Sequence, residues 1–343
     1  MSINRREFLR SILAWGIGLI AARSLFSSLG CSAPVQPSPA APVTPSPIPP
    51  SSTPQPLPTP TPKPSPTPTP SPRTSSTYLA VARGNSPATI TETAIKAIGG
   101  IERFVKPGND VIVKPNICVA YHTYEYAATT NPEVVTAIVK MCLDTGARRV
   151  RVMDQPFGGS AEQAYQRSGI AEAVRAAGGQ MEVMARMKYR NTPIPDGKDI
   201  KSWLVYQDAI DADVLINVPI AKTHGLSRLT LGMKNLMGLI LDPARFHSNL
   251  AQRVADLTSL LRPELTVIDA VRILTANGPT GGNLKDVKLT NTVIASADPV
   301  AADAYAATLF NLTGNDIPII RTAAQMGLGR MDLKSIRIEE LSV

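Results

Sequence analysis

Proline decides first what this chain cannot fold into. Between Pro34 and Pro72 there are 18 prolines in 39 residues, interleaved with Ser, Thr and Ala and ending in TPTPKPSPTPTPSP. Each proline fixes its own φ and lacks a backbone donor, so neither a helix nor a sheet ladder can run through this stretch. The composition favours extended polyproline II at roughly 3.1 Å per residue, a reach on the order of 120 Å when fully drawn out. It reads as a spacer. The chain therefore divides into residues 1–31, a proline-rich disordered stalk over 32–76, and a globular part over 77–343.

Residues 1–31 read as a targeting segment. Arg5 and Arg6 precede Glu7-Phe8-Leu9-Arg10, which resembles the twin-arginine export consensus, and an apolar stretch from Ser11 to Leu29 follows. A plain membrane anchor is the other reading, since about 20 apolar residues span a bilayer. Arg23 and the serines count against it. Gly30-Cys31 closes the run and resembles a lipobox, in which the Cys is acylated and becomes the new amino terminus; Ser28 stands where Leu is usual. At about 0.8 kcal/mol per buried methylene, two or three acyl chains would hold the protein on a membrane without a spanning helix. The alternative is an unmodified Cys in an ordinary signal peptide. The expectation is a protein exported by the twin-arginine machinery and lipid-anchored through Cys31 in the cell envelope, on the extracytoplasmic side of a membrane.

The net charge of +8 belongs mostly to these leading segments, which carry Arg5, Arg6, Arg10, Arg23, Lys63 and Arg73 against Glu7 alone, leaving +3 for the globular part. With no basic run interleaved with aromatics, a nucleic-acid partner is excluded. Cys118 and Cys142 are the only cysteines beyond the stalk, and they have no CxxC spacing, so no zinc ribbon or cysteine-ligated iron–sulfur cluster is encoded. Cys142 lies on the helical face Val135, Ile138, Val139, Cys142, which is core spacing. Cys118 follows a strand and suits either a core or a site; spacing does not decide whether the two pair.

From Thr77 onward, 267 residues suffice for one domain or two closely joined lobes. Candidate strands are 78–82, 110–114, 150–153, 181–184, 214–218, 265–269 and 292–296, several of them continuous apolar runs such as VLINV, as expected when helices cover both faces of a sheet. Asn131-Pro132-Glu133 and Asp298-Pro299 supply helix caps with a first-turn proline, and Gly146 closes the first of these helices. The pattern predicts an α/β fold with a largely parallel, doubly wound sheet and helices on both faces.

In such sheets ligands settle beyond the carboxyl ends of the strands. DVIVKPN brings Lys114 and Asn116 to such an end, and Thr130 and Asn131 open the next helix, a plausible anion cradle. Each has a structural alternative: Lys114 can surface, and Thr130 or Asn131 can merely cap. The loop between carries Tyr121, His122, Tyr124 and Tyr126, a lid or an ordinary packed loop. DVLINVP ends in Asn217, and IAKTHG adds Lys222 and His224, a pair able to bind an anion and exchange a proton. The next segment, LSRLTLGMKNLMGLIL, has Leu226, Leu229, Met233, Leu236 and Ile240 at helical core spacing, leaving Lys234 and Asn235 to point elsewhere. His247 follows. Asp154 and Asp269 end strands and, with His247, are candidate metal ligands, although no fixed ligand spacing marks a metal. NGPTGG, at 277–282, is neither a P-loop nor a dinucleotide fingerprint.

VIVKPN, TTNPEVV, TGARRVRVMD, NVPIAKTHGLSRLTLGMKNLMG, His247, TVIDA, NGPTGG and ASADPVAAD, in that order, closely resemble the prokaryotic family called domain of unknown function 362, over about Val111 to Gly329. The resemblance marks Lys114, Asn116, Thr130, Asn217, Lys222, Lys234, Asn235, His224 and His247. Some relatives carry an added ferredoxin-like module whose clustered cysteines are missing here. The family implies no general reaction and no particular cofactor. The readings carried forward are an enzyme acting on a small anionic substrate, with His224, His247 and Lys222 catalytic; a lipid-anchored ligand- or metal-binding accessory protein without chemistry; and, more weakly, a redox-associated protein.

Overall fold

The computed structural model describes residues 78–343; Arg5, Arg6, Cys31 and the stalk lie outside the described residues. The described chain runs β1 (Leu79–Arg83), α1 (Pro87–Ala97), β2 (Asp110–Pro115), α2 (Pro132–Asp144), β3 (Arg149–Val152), α3 (Ala161–Arg167), α4 (Ile170–Ala176) and β4 (Gln180–Met181). It continues through β5 (Tyr189–Pro193), β6 (Ser202–Tyr206), α5 (Gln207–Asp211), β7 (Val214–Val218), β8 (Ile220–His224), β9 (Arg228–Thr230) and α6 (Gly232–Asn235). The last elements are α7 (Leu250–Leu261), β10 (Leu265–Leu274), β11 (Val287–Ser296), α8 (Pro299–Thr308), α9 (Pro318–Gln325) and β12 (Ile338–Ser342).

The main sheet has the order β12-β1-β11-β10-β7-β2-β3-β4, with β8 on the far end of β10 and β9 on β8. Along that path every pairing is parallel except the two that β11 makes, so β11 alone runs against its neighbours. Alternation within each strand sends side chains to two separate cores. Ile112, Leu215, Ile268 and Ile294 face one core, with residues of α7, α8 and α9. Val111, Val113, Ile216, Val267 and Val293 face the other, with residues of α1, α2, α3 and α4. A strand buried on both faces must be apolar at every position, which is why these strands read as continuous apolar runs. Residues 78–343 fall within one compact unit rather than two lobes.

The helix starts follow their local chemistry. Asn131 caps α2 by accepting from the Glu133 N–H, and Asp298 caps α8 by accepting from Val300 and Ala301, each with proline in the first turn. At the opposite end of β2 and β3, Arg151 is buried among Asp110, Glu182 and Asp208, with Arg149 and Lys188 closing the network.

Several expectations need correction. The strand expected over 181–184 is only the two residues of β4, Gln180–Met181. The segment 226–241 is not one helix: after β8 it makes the β8–β9 hairpin, then only the short α6 and a single-turn 3₁₀ segment, Leu236–Leu239. Leu226, placed in the core by its spacing, is 73% exposed on that hairpin. Asp269 does not end its strand, because β10 runs on to Leu274 to pair with β8 and β11. Both cysteines are free and buried, Cys142 in the core under α2 and Cys118 in a small separate cluster with Val119 and Ala128.

Candidate functional site

Register explains the first contacts of the site. Lys114, near the end of β2, lies beside Asn217 of β7, which lies beside Thr266 of β10. Lys222, in β8 rather than in a loop, lies beside Leu274 and Thr230. The short helix α6 then delivers Lys234 and Asn235 onto the same strand ends.

Asn235 is the hub. Its Oδ1 accepts from Lys114 Nζ (2.9 Å) and Asn116 Nδ2 (2.9 Å), and its Nδ2 donates to Asn217 Oδ1 (2.8 Å). Asn116 accepts from Lys222 Nζ (2.8 Å), and its backbone N–H donates to Thr130 Oγ1 (2.9 Å), which donates on to the Val218 carbonyl (2.8 Å). Five of the six expected binding residues, all but Lys234, thus form one continuous network with Lys222.

The three lysines differ in what they have left to offer. An ammonium has three donors. Lys114, only 1% exposed, uses all three: on Asn235, on the Pro115 carbonyl (2.9 Å) and in an ion pair with Asp154 Oδ1 (2.7 Å). Lys222, equally buried, places two, on Asn116 and on the Ala128 carbonyl (2.6 Å), and retains one. Half-buried Lys234 has no hydrogen bond or ion pair among the described residues. Burial, then the nearby charges of Lys222 and Lys114, pull its ammonium down to about 8, with Cys118 opposing.

Burial is also the largest influence on Lys114 and Asp154. It holds the lysine below and the carboxyl above their usual ranges, while their mutual attraction opposes both shifts. Gly238 is required beside this pair: a Cβ there would lie 2.1 Å from Asp154 Oδ1 and 2.7 Å from Lys114 Nζ.

His224 ends β8, and its Nδ1 accepts from the backbone N–H groups of Leu226 (3.1 Å) and Ser227 (3.4 Å). Burial, then the charges of Lys234, His247 and Lys222, lower it to about 3. A neutral imidazole whose Nδ1 accepts carries its proton on Nε2. His224 therefore presents a donor, not a base, to a ligand. His247, in the 3₁₀ segment Pro243–Asn249, lies parallel to it with ring centroids 6.3 Å apart.

The candidate metal ligands are engaged otherwise. Asp154 holds Lys114 and accepts from the Ile117 N–H, while Asp269 accepts from the Asn131 and Val271 N–H groups. No group of three or more His, Cys, Asp or Glu suited to a metal occurs among the described residues. In the aromatic loop His122 stacks on Tyr126 (4.3 Å) and Tyr124 faces Arg272.

Asp303 escaped the sequence reading. Buried in α8, it accepts from the Gly232 (2.6 Å) and Met233 (3.0 Å) N–H groups and so fixes the start of the helix that carries Lys234 and Asn235. Its signal was a carboxylate inside the otherwise apolar run VAADAYAAT. Two cavities, of about 400 and 160 Å³, lie elsewhere, lined by Tyr78, Asp298 and Arg330 and by Tyr165, Arg175 and Met181 respectively.

Fold and site define an α/β protein with a lysine-rich cluster at the carboxyl ends of its central strands. The chain belongs to the family described as Domain of unknown function (DUF362), whose match spans residues 111–308. It is 26% identical over 245 residues to the thylakoid-associated protein sll1697 of Synechocystis sp., covering 69% of this chain and 74% of that one. Among solved structures, it is similar to the lactate racemase apoprotein of Thermoanaerobacterium thermosaccharolyticum, with a TM-score of 0.43 and 10% identity, over 64% of this chain and 54% of the racemase. A protein from Thermotoga maritima gives a TM-score of 0.36 at 10% identity, over 66% of this chain and 60% of that one. No helix among the described residues is long and apolar enough to cross a membrane.

Proposed function

We propose that this protein is an enzyme that binds a small anion at the lysine cluster. The observation that carries this reading is the unsatisfied donor set. The free N–H of Lys222, the Lys234 ammonium, unpartnered among the described residues, and the Nε2–H of His224 sit around one strand-end region. A carboxylate or phosphate answers both the charge and the missing acceptors. His224 then donates to an oxygen of the ligand, the role of a neutral electrophile, and Lys222 orients the anion.

Calorimetric titration of phosphate, oxalate and citrate into the full-length protein tests this. Because Lys234 has no partner to lose among the described residues, Lys234→Gln leaves the fold intact and weakens anion binding by about tenfold, as loss of one charge-assisted contact implies. Equal affinity in the variant, or no binding of any anion at millimolar concentration, overturns the reading.

A second reading has one observation in its favour: Lys114 is fully satisfied without a ligand, as in a preformed receptor. In it the protein holds the anion for a membrane partner and performs no chemistry. Both readings place the domain outside the cytoplasm, tethered through Cys31 after twin-arginine export, which rests on residues 1–31 alone. Radiolabelled palmitate incorporation that is lost on Cys31→Ala is the expected result.

A further inference from the structure

We infer that Lys234 is a nucleophilic amine that forms an imine with the carbonyl of a small oxo acid held at the lysine cluster. This rests on the anion-binding reading and names the substrate class within it.

The assignment stands on the contrast among the three lysines. Lys114 is held by three acceptors and Lys222 by two, so neither nitrogen is free to attack a carbon. Lys234 has no acceptor among the described residues, is largely shielded from water, and sits on a helix fixed by Asp303. The titratable groups around it are Lys222, Lys114 and Cys118, with His224 on β8 and His247 on the segment before α7. Desolvation beside other cations is what converts a lysine from an ammonium into a working nucleophile. The same surroundings hold it down at about 8.

The chemistry balances within the site. The neutral Lys234 nitrogen adds to the carbonyl carbon, forming a C–N bond, while the His224 Nε2–H supports the oxygen as charge grows on it. Both amine protons then leave with that oxygen as water, and the C=N bond remains. The acid group of the same molecule meets Lys222. No oxidant, reductant or metal is needed.

The test uses the full-length protein, glyoxylate as probe and sodium cyanoborohydride to trap any imine as a stable secondary amine located by peptide mass mapping. At pH 7 Lys234 is expected to label at least on the order of tenfold faster than any other lysine, because an amine near 8 is far more often neutral than one near 10.4. Excess oxalate, which has no reactive carbonyl, slows that labelling. Lys234→Arg keeps the charge and abolishes the fast adduct. Labelling spread over exposed lysines such as Lys96 and Lys285, with Lys234 no faster, overturns the inference. Oxalate calorimetry on the same preparation separates the two failures: binding without a Lys234 adduct removes the imine alone, and neither signal removes the anion reading with it. Should Lys234→Arg fail to fold, oxalate protection in the wild type still decides.

Discussion

At the scale of single residues, the site is a problem of burying charge. Lys114 and Asp154 are both nearly inaccessible and 2.7 Å apart, and Asn235 and the Pro115 carbonyl take the remaining ammonium protons. Removing one partner from a buried pair leaves the other unanswered, which costs about 3–5 kcal/mol. Asp154→Asn keeps the acceptor that holds the Ile117 N–H, but loses the charge and turns an amide donor toward Lys114. It is expected to lower the unfolding free energy by about 3 kcal/mol in urea titrations, and a change below about 1 kcal/mol would mean that Lys114 is neutral in the native protein. His224 makes the complementary case. Its ring should stay neutral, with Nδ1 unprotonated, down to about pH 4 in nitrogen-15 spectra, since its value lies near 3. Lys234→Gln removes a neighbouring cation and so raises that value. A His224 titrating near 6.5 in the wild type would remove the donor role assigned to Nε2.

At the scale of elements, the apolar strand cores and the helix caps were legible, and where several strands end was not. Asn131-Pro132-Glu133 specifies a helix start by chemistry confined to three residues, and the α2 cap forms as read. Asn131→Ala is expected to cost about 1 kcal/mol, measured as a lower urea midpoint; no change would mean that Asp269, which takes the Asn131 N–H, holds the helix start by itself. Residues 226–241 misled because Leu229, Met233, Leu236 and Ile240 are all buried, yet in a hairpin, a short helix, a 3₁₀ turn and the residue that follows it. What breaks the helix there is distant in sequence. β10 extends past Asp269 and recruits residues 220–224 as a strand, and Asp303 starts α6 only at Gly232. Neither partner lies within a helical window, so periodicity had no access to them. The residues named for the site were legible because the end of an apolar run is itself local. Their division of labour was not, since Lys222 places two donors on Asn116 and Ala128 and Lys114 places one on Asn235, partners that only the fold brings near.

At the scale of the whole molecule, the buried titratable groups pull stability in opposite directions with pH. Burial raises Asp269 to about 6 and Asp303 to about 7, well above an unfolded carboxyl. The native protein therefore binds more protons than the unfolded chain between about pH 4 and those values, and stability falls as pH rises through that window. His224 has the reverse sign: with its folded value near 3 and its unfolded value near 6.5, it makes stability rise with pH between them. Asp110 and Asp208 add to the rise at the acid end. Burial raises both, but their Arg151 contacts, with Arg149 for Asp110 and Lys188 for Asp208, outweigh it and hold them low, so their contribution is lost as pH falls below about 4. Lys234 matters only above about 8, where the native state binds fewer protons than the unfolded chain and stability rises. These terms overlap, so a wild-type profile is flatter than any one of them, and a difference between two proteins isolates a single group. Asp303→Asn keeps one acceptor for the Gly232 and Met233 N–H groups and removes the ionisation. Its loss of that second acceptor is the same at every pH, whereas the wild type also loses stability as Asp303 ionises. The gap between the two urea midpoints should therefore move in favour of Asp303→Asn from pH 4.5 to pH 7.5 and level off beyond it. A gap that stays constant over that range would mean that the carboxylate at the start of α6 is already ionised at the acid end, with the two backbone N–H groups outweighing its burial.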